Sequence, residues 1–317
     1  MEQKKNIFER NPKKILVLFG FLFFLLALFI LELFASNLFG LGKVILYESH
    51  PIFGYRPVPN QTVSRDNGKT NIKINNLGLR ANQDWSDFPS HDKKRVLFLG
   101  DSVTYGGSYI DNEQLFSHLA FKNNPKIEAA NAGVNAWGIL NIHELIKNMH
   151  FMPADIYITV VPEGDFYRGL TRIGGQPFWT RQPKIALEEG FQHLVYILSL
   201  KKNSELNIRK LPDDEQQKTV DLAVQALKDY DADLKQNHHQ HYIFISPTLS
   251  QVAQNASNDV LIENALKQSG LTYTYIRNKI PSSLTTAQKQ SLFHDVIHLS
   301  QMGHQVWADI IQKEIAD

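Results

Sequence analysis

The sequence predicts an α/β protein with a parallel β-sheet, preceded by one helix that crosses a membrane. From Lys94 onward, short apolar runs alternate with stretches of helical periodicity, which is typical of a parallel sheet covered by helices on both faces. Near the N-terminus, an uninterrupted apolar run extends from Ile15 to Leu31. The length of 317 residues suits one large domain or two small ones.

The N-terminal run is interpreted as a signal anchor. It is longer than the roughly 7–15 residues of a signal-peptide core and approaches the ~20 residues that cross a bilayer, and apolar residues continue after Glu32 to residue 39. Basic residues on the N-terminal flank favour a cytoplasmic N-terminus: Lys4, Lys5, Arg10, Lys13 and Lys14. We therefore predict a cytoplasmic tail at 1–14 and a single-pass anchor at 15–39 in the cell (inner) membrane. The remainder would lie in the periplasm or outside the cell, and cleavage near Ala35-Ser36-Asn37 is the alternative.

The remaining elements follow in chain order. Residues 40–92 contain several prolines and one alternating stretch at 70–74, which predicts an irregular, partly extended connector. Residues 93–317 form the predicted domain, and about 166–215, which fits no strand, is interpreted as an insertion over the sheet edge. The predicted strands are Val96–Leu99, Ile127–Asn131, Ile156–Val161, Tyr242–Ser246 and Leu271–Tyr275. The predicted helices are Asn112–Lys122, Ile139–Met149, Gln216–Gln236, Leu261–Ser269 and a last one at about 300–315.

Charge and cysteine content exclude several functions. Lys and Arg total 33 and Asp and Glu total 32, so no strong field favours nucleic acid as a partner. There is no cysteine, which excludes disulfides, thiolate metal sites and a cysteine nucleophile. No cofactor is expected.

Two distant segments carry the residue types of a hydrolytic triad. The strand ending at Leu99 leads into Gly100-Asp101-Ser102, and the C-terminal part contains Asp295 and His298. In a parallel sheet, functional groups collect at the carboxyl ends of strands. We predict that Ser102 attacks, His298 takes its proton and Asp295 orients the ring. The nucleophile elbow of other serine hydrolases fits less well, because Thr104 stands where its second glycine belongs.

Four sequence blocks resemble those of the SGNH or GDSL hydrolases. They are VLFLGDSVTYG at 96–106, NAGVNAWG at 131–138, TVVPEGD at 159–165 and DVIHLSQMGH at 295–304. The resemblance, closest to membrane-anchored, envelope-facing members, implies a flavodoxin-like three-layer α/β/α sandwich and the same roles for Ser102, His298 and Asp295. It also implies a serine esterase or O-acyltransferase acting on ester-linked acyl groups, with an acylated envelope glycan as substrate.

The oxyanion hole departs from that family. The resemblance implies three donors: the amide of Ser102, a second-block glycine amide and a third-block asparagine side chain. The glycine position falls on Ala136, with Gly133 as the alternative, and the asparagine position falls on Gly164. Loss of one such donor typically costs ~3 kcal/mol of transition-state stabilisation, or roughly 10²–10³ in rate. A Gly164 backbone N–H, Tyr167 or Arg168 is the expected substitute.

The missing asparagine keeps a second hypothesis open. The chain would then be a catalytically weak or inactive module that binds glycan or assembles with other polysaccharide-modifying proteins through its membrane helix. Aromatic and basic residues in the insertion suit contacts with sugars or anions, and we predict Tyr167, Arg168 and Trp179 as substrate contacts.

The C-terminal histidines also imitate a zinc-protease signature. His294, His298 and His304 have the spacing, but Asp295 replaces the glutamate base and Gln301 the glycine turn. Ser300 instead reads as the N-cap of the last helix, which places His298 in a loop and His304 as an ordinary first-turn residue. We therefore predict no metal site.

Overall fold

The structure, a computed structural model, describes residues 10–65, 68–86, 92–148, 153–173, 178–205 and 212–316. Within these ranges the strands are β1 (Tyr47–His50), β2 (Gly54–Pro57), β3 (Gln61–Arg65), β4 (Thr70–Ile74), β5 (Lys94–Gly100), β6 (Ile127–Asn131), β7 (Ile156–Pro162), β8 (Gln240–Ser246) and β9 (Thr274–Tyr275). The α-helices are α1 (Pro12–Phe39), α2 (Ser102–Tyr105), α3 (Phe116–Leu119), α4 (Ile139–Asn148), α5 (Ala186–Glu205), α6 (Asp213–Gln236), α7 (Leu249–Ala253), α8 (Val260–Ser269), α9 (Thr286–Ser291) and α10 (Gln301–Ala316). The predicted tail up to residue 9, Met149, and residues 174–177 and 206–211 of the predicted insertion lie outside the described residues.

The central sheet has five parallel strands in the order β6-β5-β7-β8-β9. The chain therefore moves one way from β5 to β6 and then crosses back past β5 to β7 on its other side, which is the flavodoxin-like order. The predicted α/β fold with a parallel sheet is confirmed. In such a sheet, the crevice for a ligand lies at the carboxyl ends of the strands beside this reversal, here β5 and β7.

Helices cover both faces of the sheet, because alternate residues of each strand are apolar on opposite sides. In β5, Leu97 and Leu99 belong to one buried cluster, which includes side chains of α4, α6 and α8. Val96 and Phe98 belong to the other, which includes side chains of α3 and α10. This arrangement makes the three layers that the family resemblance implies.

The segment predicted as an irregular connector forms two antiparallel hairpins, β1-β2 and β3-β4. Only the alternating stretch at 70–74 had indicated a strand, and it is β4. Tyr55 and Ile72 are fully buried in the same cluster as α4 and α6. The backbone N–H of Arg80 also donates to Asn131 O of β6 at 2.8 Å. The hairpins therefore pack as part of the domain core.

Two predicted elements are shorter than expected. The helix predicted at 112–122 is a 3₁₀ turn (Asn112–Gln114) followed by α3, because Leu115 between them is extended with ψ 144°. The last sheet strand was predicted from Leu271, yet only Thr274 and Tyr275 pair with β8.

The N-terminal helix α1 is the predicted long apolar helix. It has a proline in its first turn and ends at Gly40 in the left-handed conformation, with φ 62°. Of its described residues only Ala35 is buried. The helix is long and apolar enough to cross a membrane, which is consistent with a signal anchor or a signal peptide.

Candidate active site

Ser102 lies directly past the carboxyl end of β5, at the first residue of α2. Asp101 caps this short helix by accepting a hydrogen bond from the Val103 N–H at 2.8 Å. Gly100 is required for the close approach of β5 and β7, because a Cβ there would lie 2.3 Å from Val160 O. Thr104 Oγ1 donates to that same carbonyl oxygen at 2.7 Å. These contacts fix the start of α2, and with it the serine, against the central strands.

Ser102, His298 and Asp295 form one series of contacts. His298 Nε2 lies 2.8 Å from Ser102 Oγ, across 196 residues of sequence, and His298 Nδ1 lies 2.7 Å from Asp295 Oδ2. A carboxylate at Nδ1 favours the proton on that nitrogen, which leaves Nε2 as a hydrogen-bond acceptor for the Ser102 hydroxyl. The His298 and Asp295 side chains are 28% and 45% exposed, so both are accessible from the solvent.

The loop between α9 and α10 holds the carboxylate in place. Asp295 Oδ1 accepts hydrogen bonds from the backbone N–H groups of Ile297 and His298 at 2.9 and 2.8 Å. Partial burial acts to raise the pKa of Asp295, but these bonds and the His298 ring outweigh it and hold the pKa below its usual value. The carboxylate is therefore ionised and oriented toward the ring.

The three C-terminal histidines have separate environments. The His294 ring stacks on Tyr109, with 3.8 Å between ring centroids, while His298 contacts Ser102 and Asp295. Ser300 Oγ accepts from the Gly303 N–H at 3.2 Å, as expected of an N-cap. No group of three or more potential ligands that could hold a metal ion is found in the part of the chain that the structure describes.

His304 is not the ordinary first-turn residue that the sequence suggested. It is fully buried, and its Nδ1 accepts a hydrogen bond from the Phe116 N–H at 3.2 Å. Burial, and to a smaller extent the charge of Arg80, lowers the pKa of His304 from 6.5 to about 3. The ring is therefore neutral and joins α10 to α3 beneath the candidate site.

Acid is expected to destabilise the fold through His304. Below pH 6.5 the unfolded chain binds a proton at this residue, whereas the folded chain does not bind it until about pH 3. The free energy of unfolding should therefore fall by about 2 kcal/mol between roughly pH 7.5 and pH 5. Urea unfolding of the full chain in mild detergent at the two pH values measures this. His304→Gln, which keeps an acceptor without a titrating group, should have a shallower pH dependence; an equal slope in both proteins would contradict the prediction.

A buried charge cluster lies beside the serine. Arg168 Nη1 donates to Asp165 Oδ1 at 2.5 Å, to Trp137 O at 2.9 Å and to Asp101 Oδ2 at 3.3 Å. Burial and the neighbouring Asp101 carboxylate raise the pKa of Asp165 well above its usual value. Both acids act as hydrogen-bond acceptors, and Arg168 places a partly exposed cation next to the residue that caps α2.

The three candidate oxyanion positions other than Ser102 differ in their local structure. Ala136 has φ 60°, so the alanine adopts the glycine-like left-handed conformation, at a cost of roughly 1–2 kcal/mol. The Gly133 N–H donates to Asn131 Oδ1 at 2.8 Å, so this amide is already engaged and does not suit the alternative role. Gly164 follows β7 in a 3₁₀ turn (Glu163–Tyr167), and a Cβ added there would meet no atom within 4 Å.

Comparison with known proteins gives structural neighbours only. No profile of a known protein family matches the chain, and no curated protein matches it. A member of the lipolytic protein G-D-S-L family from Veillonella parvula is 9% identical, with a TM-score of 0.42 over 70% of this chain and 98% of that chain. An acetylxylan esterase from Geobacillus stearothermophilus is 14% identical, with a TM-score of 0.40 over 71% and 94%, and the acetyl xylan esterase AlAXEase is 12% identical, with a TM-score of 0.45 over 70% and 99%. The structural neighbours are GDSL lipolytic proteins and acetyl xylan esterases.

The predicted substrate contacts do not converge on one place. Arg168 lies in the charge cluster beside Ser102, whereas the Tyr167 hydroxyl donates to Asp259 Oδ2 at 2.9 Å, at the N-cap of α8. Trp179 contributes to a cavity of about 510 Å³ that Phe39, Tyr109 and α5 also line. Because the Tyr109 ring stacks on His294, this cavity lies against the loop that carries His298.

Arg80 is a structural support of the site that the sequence did not single out. This buried side chain donates from Nη1 to Tyr105 O at 2.7 Å and Gly107 O at 2.6 Å, and from Nη2 to Ile110 O. Its Nε donates to Asn112 Oδ1 at 2.9 Å. It thus holds the segment that follows Ser102. The only sequence signal was its place in Asn76-Leu77-Gly78-Leu79-Arg80, a stretch similar to envelope-facing members of the family.

Proposed function

We propose that this protein is a membrane-anchored serine esterase or O-acyltransferase. The observation that carries the proposal is the series of contacts from Ser102 through His298 to Asp295 at the carboxyl end of β5. A hydroxyl, an imidazole ring and an oriented carboxylate in this order are the groups needed for nucleophilic acyl transfer. The proposed organisation is a cytoplasmic tail at 1–14, an anchor at 15–39 and an exported domain at 93–317, on which the hairpins of the segment 40–92 pack.

The proposed mechanism is a double displacement. Ser102 Oγ attacks the carbonyl carbon of an ester while His298 Nε2 takes the hydroxyl proton, and Asp295 stabilises the resulting imidazolium. Collapse of the tetrahedral intermediate breaks the bond to the alcohol, which leaves with the proton from His298. Water or a sugar hydroxyl then attacks the acyl-enzyme by the same steps, which gives hydrolysis or transfer. The oxyanion would receive the Ser102 and Ala136 amides, with the Arg168 cation as a third stabilising group.

The proposed substrate is an acyl ester on an envelope glycan. Support comes from the four sequence blocks that resemble SGNH or GDSL hydrolases and from the proposed location on the exported side of the anchor. An inactive glycan-binding or assembly module is the second candidate, and the observation that favours it is Gly164, where no side-chain donor is present.

A fluorophosphonate probe tests the proposal and separates the two candidates. The full chain in mild detergent should be labelled covalently, because the probe reacts much faster with a serine that a base activates than with an ordinary serine. Labelling should disappear in Ser102→Ala and persist in Ser108→Ala, a matched change of an exposed serine six residues further along. A folded wild-type protein that stays unlabelled would favour the inactive module, and labelling that persists in Ser102→Ala would place the nucleophile elsewhere.

A further inference from the structure

Helix α5 has an apolar face that is open to solvent. Phe191, Leu194, Val195 and Leu198 are between 45% and 67% exposed. Their spacing of three and four residues places them on one side of the helix. Ile185, just before the helix, is also 52% exposed. A contiguous, solvent-exposed apolar stripe of this kind is typical of a surface that contacts a membrane or another molecule.

The opposite side of α5 packs on the protein. Glu189 is buried, and its carboxylate accepts from the Gly42 N–H at 2.7 Å and from Arg65 Nη2 at 2.6 Å. His193 and Tyr196 line the cavity of about 510 Å³. The helix therefore has a fixed orientation, with its apolar face directed away from the domain.

The start of α5 is fixed to the anchor helix. Glu32 Oε1 accepts from the Ala186 N–H at 2.6 Å, and Oε2 accepts from the Leu187 N–H at 2.9 Å. Glu32 is the only charged residue in the apolar segment 15–39. A carboxylate in such a segment is costly unless it is bonded, and the N-terminus of a helix satisfies it through free N–H groups and the helix dipole.

This contact also sets the depth of α5. Glu32 lies about two turns before the end of α1, or roughly 10 Å along the axis of that helix. If α1 crosses the bilayer, its last two turns pass through the lipid boundary on the exported side. The first turn of α5 then lies at that boundary.

We propose that α5 is a second membrane-contacting element, which lies on the exported surface of the bilayer with its apolar face in the lipid. The inference rests on the proposed anchor. Amphipathic helices bury such a face about 5–10 Å into the region between headgroups and acyl chains. Lipid is the occupant that continuity with α1 indicates, because Glu32 joins the start of α5 directly to the membrane-crossing helix. Since His193 and Tyr196 of α5 line the cavity beside Tyr109, the helix then lies between that cavity and the lipid.

The absence of cysteine allows a direct test by single-cysteine labelling. Leu194→Cys carries an environment-sensitive nitrobenzoxadiazole fluorophore in the full chain, reconstituted in vesicles of phosphatidylethanolamine and phosphatidylglycerol. The matched control is Leu222→Cys, an exposed leucine of α6, at 60% against 53% for Leu194. Leu25→Cys, near the middle of α1, reports whether the anchor is inserted, through quenching by lipids that carry the doxyl group near the methyl end of the acyl chain. Quenching by lipids with a doxyl group near the headgroup end of the acyl chain should be at least about twofold stronger at Leu194 than at Leu222.

The three positions separate the possible failures. Equal quenching at Leu194 and Leu222, with strong quenching at Leu25, would overturn the inference and leave the anchor standing. If the apolar face of α5 instead binds a partner protein, quenching at Leu194 and Leu222 would also be equal, because no partner is present in the vesicles. Weak quenching at Leu25 would overturn the anchor and the inference together. Fluorophosphonate labelling of each cysteine variant tests the proposed activity of Ser102, and its outcome depends neither on the anchor nor on the position of α5.

Discussion

His298→Ala is expected to lower kcat/KM for p-nitrophenyl acetate by about 10⁴-fold or more. Without the ring no group takes the Ser102 proton, and the hydroxyl is a poor nucleophile at neutral pH. The contact that this change removes is the 2.8 Å approach of His298 Nε2 to Ser102 Oγ. Steady-state hydrolysis by the full chain in detergent measures the effect.

Two further variants of the same loop complete the test: His294→Ala is the control, and Asp295→Asn tests the carboxylate. His294→Ala removes a neighbouring ring that stacks on Tyr109, so activity should stay within about threefold of wild type. Asp295→Asn should lower kcat by up to about 10⁴, because an amide does not hold the ring in the productive tautomer. Residual activity in His298→Ala close to that in His294→Ala would refute the assigned base.

Gly164→Asn is expected to raise kcat by about tenfold or more. It places an amide where the family resemblance implies the third oxyanion donor, and such a donor is worth roughly 10²–10³ in rate when its geometry is good. The position accepts a side chain, because an added Cβ would meet no atom within 4 Å. Gly164 also follows β7, whose carboxyl end is next to that of β5.

Gly169→Asn is the matched control for this gain. It makes the same substitution in the same segment, and a Cβ at Gly169 would also meet no atom within 4 Å. Activity equal to wild type is expected there. A Gly164→Asn enzyme no faster than this control would indicate that Arg168 already supplies the missing stabilisation.

Much of the fold could be read from the sequence because its signals are local. Alternating strand and helix patterns predicted the parallel sheet, and the two distant blocks singled out Ser102, Asp295 and His298. The structure brings these three side chains into contact, while their catalytic roles stay predictions. Strand ends follow from local apolar patterns, and the carboxyl ends of parallel strands lie along the same edge of the sheet.

What the sequence did not indicate depends on contacts between distant segments. The buried state of His304 arises only when α10 packs on α3, and the hydrogen bonds of Arg80 exist only because the hairpins pack on the domain. The same applies to Glu32. In the sequence it is a charged residue that interrupts an apolar segment, and only the structure shows that its carboxylate accepts a hydrogen bond from the Ala186 N–H. Hydrophobic periodicity and secondary-structure propensity are read from short stretches of sequence. They therefore do not reveal a contact between two residues that are far apart in the chain.

The separation of 196 residues between Ser102 and His298 has a consequence for biogenesis. Any chain interrupted between them during synthesis or translocation contains Ser102 without His298. Under the proposed topology, the two segments meet only after both have crossed the bilayer and folded. Esters inside the cell would therefore never encounter an assembled catalyst, and the timing of activity would be set by secretion without a separate inhibitor.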